Sequence, residues 1–296
     1  MTYSLAERKN QLRRCVTHAL RACGRVFTHS PRVVVSLTSY PARIETVHVS
    51  MQSLLAQHHL PDLIVLYLCK QDFPHGEADL PESLRRLLAH DVCIRWVEGD
   101  LKSHKKYFYA LQEFACDYVI TVDDDLIYRN TMIDELLSAQ VKHPHAICAM
   151  RTHLIEFSSD GELAPYANWI LEAPITHERL VGVESMRLFV TTGAGTLFPP
   201  KCLPAQTFDE RAIRSLCLYA DDVWINVMRI ITHAPVVAVT SNQALVYVPD
   251  TQEVGLFHTN LEGTGNDDML RAVFDAYAAL GIAPSAFADD TLDTLL

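Results

Sequence analysis

From residue 32 to residue 122 the hydrophobic positions fall into short continuous runs separated by amphipathic segments. RVVVSL (32 to 37), DLIVLYLC (62 to 69), VCIRWVEG (92 to 99) and DYVITV (117 to 122) are rich in β-branched and aromatic residues and too short for ordinary helices. That is the pattern of strands covered on both faces. Between them, ETVHVSMQSLLAQ, PESLRRLLAH and KKYFYALQEFA carry helical spacing, the first after the Pro-containing turn TSYPAR. TMIDELLSAQ (131 to 140) follows the fourth strand as a further helix. Strand and helix in alternation predict a parallel sheet.

After Met150 the alternation fades. YANWILEAP, RLFVTTGAGTLFPP and CLYADDVWINVMRI are expected to extend the same sheet and close over its rim. PVVAVTSNQALVYV (235 to 248) is expected to add edge strands, and DDMLRAVFDAYAAL (267 to 280) a terminal helix. No linker divides the chain, so the expected organisation is a basic helix over residues 1–30 and one α/β domain over 31–296.

Composition adds little to that picture until charge is considered. At 296 residues, 49% apolar and 21% charged, this is an ordinary folded chain. Its eight cysteines stand singly, with no Cys-x-x-Cys pair, and read as reduced core thiols of a cytoplasmic protein. No apolar run approaches the roughly 20 residues that cross a bilayer, and no secretory apolar segment opens the chain. The net charge of −11 is unevenly spread: residues 1–32 hold seven Lys or Arg against Glu7 alone, giving +6, and the remainder holds −17. Leu5, Leu12, Val16 and Leu20 share one helical face in that leader. It fits a helix on an anionic membrane surface, or one packed on the domain edge. An acidic body with its arginines gathered in one leader excludes nucleic acid as a partner.

The candidate chemistry is acidic. Asp123, Asp124 and Asp125 stand directly after YVITV, and in open α/β sheets ligands bind beyond the carboxyl ends of the strands. Three adjacent carboxylates repel one another unless a cation compensates them. One residue would suffice to cap the next helix, and Thr131 or Asn130 is better placed for it. Asp123 and Asp125 suit Mn²⁺ or Mg²⁺, hard cations held by few carboxylates together with substrate phosphates. A second pair, Asp221 and Asp222, precedes a helix-period set, Val223, Val227, Ile230 and Ile231. There it serves either the helix dipole or, as a general base, an acceptor hydroxyl. Gly193 and Gly195 permit close approach to a ligand or mark a bulge. Lys105 and Lys106 open a helix where phosphates would lie, and His258 is a candidate third metal ligand; a solvated lysine and an ordinary histidine are the plain alternatives.

TSYPARI, the strand-end DDD, GAGTLFPP and ADDVW, in that order between about residues 32 and 275, resemble the nucleotide-sugar glycosyltransferases of GT-A fold. The likeness is to the bacterial family 2-like enzymes of surface polysaccharide assembly. The resemblance implies a Rossmann-like, mostly parallel central sheet with helices on both faces. Residues 31–150 would form its nucleotide-binding half and 151–296 its acceptor and sugar half. It further implies a UDP- or GDP-linked sugar donor, Mn²⁺ or Mg²⁺, and a saccharide or lipid-linked saccharide acceptor. Thr38 and Tyr40 would lie against the base with Arg43 nearby, and Lys106 would face the nucleotide. Asp123, Asp124 and Asp125 would form the Asp-x-Asp element, its outer pair toward the metal-diphosphate, and Asp222 would be the base of an inverting transfer. His258 stands where some such enzymes place a metal ligand. Asp221 replaces the usual Glu, and KSHKK lacks a common Gly-Pro, which leaves Lys105 against Lys106 open. A glycoside hydrolase built on paired carboxylates and a non-catalytic sugar-nucleotide binder are the competing classes.

Overall fold

In the computed structural model, residues 31–252, 265–289 and Leu292 are described. The N-terminal helix and His258 lie outside them. All four early strands form where the apolar runs place them: β1 Val33–Thr38, β2 Leu63–Cys69, β3 Val92–Val97 and β4 Tyr118–Val122. With β5 Ile147–Ala149, β7 Glu184–Ser185, β9 Ala194–Phe198 and β10 Val236–Ala238 they make one eight-stranded sheet. Its order is β3-β2-β1-β4-β9-β5-β10-β7. β9 runs antiparallel to both β4 and β5, and β7 antiparallel to β10; the other pairings are parallel. The expected α/β architecture with a mostly parallel sheet is therefore present. β6 Thr152–Leu154 and β8 Leu188–Val190 leave it and pair with each other as a separate ribbon.

Burial on both faces follows from alternation along each strand. Val33, Val35, Leu37, Ile120 and Val122 pack with Met51 and Leu54 of α1 (Val47–Leu55), with Leu84 of the single turn α2 (Glu82–Arg85), and with Met132 and Leu136 of α5 (Met132–Lys142). Val34 and Val119, pointing the other way, meet Ala110 and Phe114 at the end of KKYFYALQEFA. On that same face α7 (Asp221–Ile231) packs into the cluster that includes β5 and β10, and α8 (Gly265–Tyr277) packs against α7.

Three local expectations are corrected. KKYFYALQEFA is two single turns, α3 (Lys105–Phe108) and α4 (Ala110–Glu113), because its aromatic side chains pack into two separate clusters rather than along one stripe. PESLRRLLAH is one α-turn followed by a 3₁₀ turn. The 235–248 segment contributes only β10, which is not an edge strand, since β7 lies outside it; the rest of the segment makes one isolated bridge among the described residues, Tyr247 to Leu126.

The chain leaves β1 outward to β2 and β3, then returns to β4 on the opposite side of β1. That reversal opens a crevice beyond the carboxyl ends of β1 and β4. Asp123 begins there.

Candidate active site

The triplet is held by three different devices. Tyr128 closes the end of β4: its buried hydroxyl donates to the Gly193 carbonyl at 2.6 Å and accepts from the Asp123 N–H at 2.7 Å. Asp124 is consumed by the fold. Ser39 Oγ donates to its Oδ2 at 2.6 Å and Arg43 pairs with its Oδ1 at 2.9 Å, so both oxygens of a buried side chain are satisfied. Asp125 shares Arg43, again at 2.9 Å, through Oδ2, which also accepts from Gln252 at 3.2 Å. Asp123 turns the other way and meets Lys106 Nζ at 2.7 Å through Oδ1. Protein cations thus compensate the repulsion expected from three neighbouring carboxylates. They do so incompletely: burial, and then the charge of Asp123, push the Asp125 carboxyl up to about 6. Burial also raises Asp124 against the opposing pull of Arg43 and Ser39.

None of the three caps the following helix. Thr131 occupies the cap position of α5 but its hydroxyl bonds Glu135, at 2.6 Å, rather than a backbone amide. The expectation that Thr131 or Asn130 caps this helix by its side chain is not met.

The second pair opens α7, where the helix dipole favours it. The helix is docked on β8 by Asn226, which accepts from Val190 N at 3.0 Å and donates to Val190 O at 2.8 Å, as a neighbouring strand would. The same amide donates to the Asp222 carbonyl at 2.8 Å, which fixes the first turn. Further along, buried Arg229 donates to the carbonyls of Met186 and Leu188, both at 2.8 Å. Asp221 accepts from Ser103 Oγ and Thr192 Oγ1, each at 2.7 Å, and pairs with Lys106 at 2.9 Å. Burial works against its charge, yet Lys106 and these hydrogen bonds hold Asp221 well below the usual carboxylate range. Asp222 Oδ1 takes the Thr192 N–H and faces the same Thr192 hydroxyl, both at 2.7 Å. One hydroxyl proton cannot serve two carboxylates. Burial, and then the neighbouring Asp221 charge, push Asp222 up to about 6. Its Oδ2 has no hydrogen-bond partner among the described residues, and the side chain lines the cleft.

Lys106 joins the two clusters, and the local sequence explains how. Ser36, the polar interruption in VVVSLT, donates from within the buried strand to the Lys106 carbonyl at 2.5 Å. His104, two residues earlier, bridges the Tyr107 hydroxyl (2.7 Å) and the Cys217 carbonyl (2.8 Å); burial lowers its pKa to about 4, so it stays neutral. Pinned on both sides, the short helix aims a 3% exposed lysine side chain between Asp123 and Asp221. Burial opposes that charge, but Asp123, Asp221 and Asp222 together raise it above the ordinary lysine value. Lys105 turns instead to Asp100. Of the two lysines, Lys106 spans the two acidic clusters, and Lys105 braces the loop after β3.

Thr38, Tyr40, Arg43, Lys106, all three triplet aspartates, Asp221 and Asp222 line one cleft of about 590 Å³. Thr38 Oγ1 is tied to the Tyr67 carbonyl at 2.8 Å, and Tyr40 lies with its ring 5.7 Å from the Arg43 guanidinium. Arg43 is committed to Asp124 and Asp125 and so serves the triplet first. Gly193 and Gly195 have a nearer reason than ligand approach. A Cβ on Gly193 would lie 1.7 Å from Asp123 Oδ2, and one on Gly195, at φ +106°, 2.5 Å from Met132 Sδ. The first glycine makes room for the carboxylate, the second for α5.

The donor set admits a divalent cation of the hard kind. Asp123 Oδ2 and Asp125 Oδ1 have no hydrogen-bond or ion-pair partner among the described residues, whereas both Asp124 oxygens are taken. Two open carboxylate oxygens match a cation that completes its shell with water and phosphate. The raised Asp125 shows that added positive charge would be favoured there. Among the described residues no three carboxylate, imidazole or thiol groups converge on one point.

Sequence reasoning missed Ser36, Ser39, Ser103 and Thr192. Small hydroxyls inside apolar runs were the available signal for Ser36 and Thr192, since a buried hydroxyl requires a partner.

No family model matches the chain, and no curated protein matches it. Solved structures similar in shape include a mannosyltransferase from Pyrobaculum calidifontis in complex with GDP-Man and Mn²⁺, at 11% identity over 90% of this chain and 80% of that one, TM-score 0.46. Residues 1–349 of S. aureus TarS match at 12% identity over 84% and 72%, TM-score 0.44. The 4-diphosphocytidyl-2C-methyl-D-erythritol synthase of Anaerococcus prevotii matches at 14% over 78% and 98%, TM-score 0.45. Likeness of this degree carries no weight for activity, which rests on the cleft itself.

Proposed function

We propose that this chain is a glycosyltransferase that moves a sugar from a nucleoside diphosphate donor, UDP- or GDP-linked, to a hydroxyl of a saccharide acceptor, with inversion. One observation carries the reading. A single cleft holds a carboxylate with a raised pKa and an open oxygen, Asp222, apart from two strand-end carboxylates that each keep an oxygen free.

Asp222 Oδ2 takes the proton from the acceptor hydroxyl. That oxygen forms its bond to the anomeric carbon as the bond from that carbon to the diphosphate breaks, and the nucleoside diphosphate departs with the electron pair. At a pKa of about 6 Asp222 is ionised at neutral pH yet basic enough to assist. Asp221, strongly acidic and bound to Lys106, stays ionised and keeps its partner's pKa high. Lys106 neutralises Asp123 and places a positive charge beside the departing phosphates. Mn²⁺ or Mg²⁺, held by Asp123 and Asp125, would supply further neutralisation of the diphosphate. Asp124 acts by fixing Arg43 and the crossing from β1 to β4.

The test is calorimetric titration of UDP and GDP with and without Mn²⁺, followed by a panel of sugar nucleotides scored for release of the nucleoside diphosphate. Metal-dependent binding of one nucleotide is expected; no heat with either would refute the reading. The same reading includes a lipid-linked acceptor on a cytoplasmic membrane face, contacted through basic residues 1–30, in the assembly of a surface polysaccharide. Deleting residues 1–30 should then release the protein from vesicles containing anionic lipid, and unchanged binding would remove that part. Among the described residues no helix is long and apolar enough to cross a membrane.

A further inference from the structure

We propose that Arg151 is the recognition residue for an anionic group, a carboxylate or a phosphate ester, on a sugar that enters the cleft beside Asp222. The inference rests on the transferase reading and narrows its substrate class.

Arg151 follows β5 and lines the cleft. Its carbonyl accepts from the Thr191 N–H and hydroxyl, both at 3.3 Å, and the next residue, Thr192, is the one that holds Asp222. The Arg151 backbone is therefore anchored one residue from the support of the base. The other cleft cations are already matched to carboxylates: Arg43 to Asp124 and Asp125, Lys106 to Asp123 and Asp221, Lys102 and Lys105 to Asp100. Arg151 is matched as well, to Glu172, but along one edge only. Its Nε donates to Glu172 Oε1 at 2.8 Å, while the two terminal nitrogens have no hydrogen-bond partner among the described residues.

The bracing is itself unusual. Glu172 sits at φ +52°, in the left-handed region that a side chain with a Cβ seldom adopts. Its N–H donates to His153 Nδ1 at 3.0 Å, and the buried His153 ring stacks on Phe189 at 6.2 Å between centroids and 5° between planes. Burial keeps that imidazole neutral, so Nδ1 remains an acceptor. A stacked histidine thus supports a strained residue whose carboxylate grips the Nε edge of Arg151. Strain maintained by surrounding packing is a mark of functional positions. What remains open is the paired N–H edge, the geometry that recognises a carboxylate or phosphate by two parallel hydrogen bonds, whereas neutral hydroxyls need no such fork.

The anion can reside on the acceptor or on the transferred sugar, and two arms separate these. In the first, the full chain with Mn²⁺ and UDP or GDP is titrated with glucuronic acid, glucose 6-phosphate and glucose. In the second, UDP-glucuronic acid is compared with UDP-glucose. In one arm a charged probe should bind about tenfold tighter than its neutral counterpart. Arg151→Met should abolish that preference while leaving the neutral probe within about twofold, and Arg151→Lys should restore part of it. Glu172→Gly should raise the melting temperature by relieving the backbone and still weaken the preference, a combination that a merely structural brace would not give. Equal binding of charged and neutral probes by the wild type in both arms, or equal loss of both in Arg151→Met, would overturn the proposal. If neither nucleotide binds, the transferase reading fails separately, and the first arm repeated without nucleotide still reports the anion preference.

Discussion

The two acidic clusters of the cleft look alike as letters and differ in construction. At the end of β4, three carboxylates share one guanidinium and half of one ammonium, and Asp124 and Asp125 are raised. At the start of α7, two carboxylates share the helix dipole, one threonine and the other half of that ammonium, and their pKa values are driven apart. In each cluster one aspartate is spent on the fold: Asp124 with both oxygens bonded, Asp221 with Ser103, Thr192 and Lys106. The members left open are Asp123 and Asp125 in the first and Asp222 in the second. A strand end short of positive charge is suited to take up a cation. A helix start whose first residue holds the cation leaves its second residue basic.

The comparison breaks most sharply at Asp222. Asp222→Asn should lower kcat by on the order of 10³-fold and leave the affinity for nucleoside diphosphate unchanged, measured by turnover and calorimetry together. A non-catalytic binder would lose nothing. Next is the shared ammonium: Lys106→Met leaves Asp221 buried without its cation and should cost about 3–5 kcal/mol in a denaturant titration, with nucleotide binding weakened as well. Gly193→Ala acts first on the strand-end cluster. Its methyl group displaces the Asp123 carboxylate, and the metal-dependent part of nucleotide binding should fall about tenfold while the pH profile of kcat stays in place. That profile is a finer test. The rate should fall tenfold per unit as pH drops below about 6, as Asp222 takes up a proton. Stability should move oppositely. Asp125 and Asp222, raised in the folded state, contribute stability that is full below about pH 4 and lost as pH rises through about 6. The smallest effect is Ser36→Ala, about 1 kcal/mol from one buried hydrogen bond, with Lys106 less firmly aimed.

What was legible in the sequence follows from how local its cause is. The four early strands are set by β-branched runs that allow no other burial, and the site at the end of β4 follows from a parallel sheet once three charges terminate such a run. The first-turn placement of Asp221 and Asp222 follows from helical spacing. The partners were not legible. Arg43 and Asp124 are 81 residues apart and Ser103 and Asp221 118 apart, and nothing near either member marks the other. The division of KKYFYALQEFA into two turns was hidden because its periodicity suits one helix, and tertiary packing decided otherwise. The insertion of TTGAGTLFPP into the middle of the sheet has no local signature at all.

That insertion governs how the protein can be made. With β9 between β4 and β5, a nascent chain that ends near residue 150 presents β4 as a bare margin along which another chain can pair. Closure of the sheet waits until residues 194–198 leave the ribosome, so residues 31–150 are expected to lack independent stability as a fragment. Expressed alone, residues 31–150 should collect in the insoluble fraction, and co-expression with the remainder of the chain should recover them.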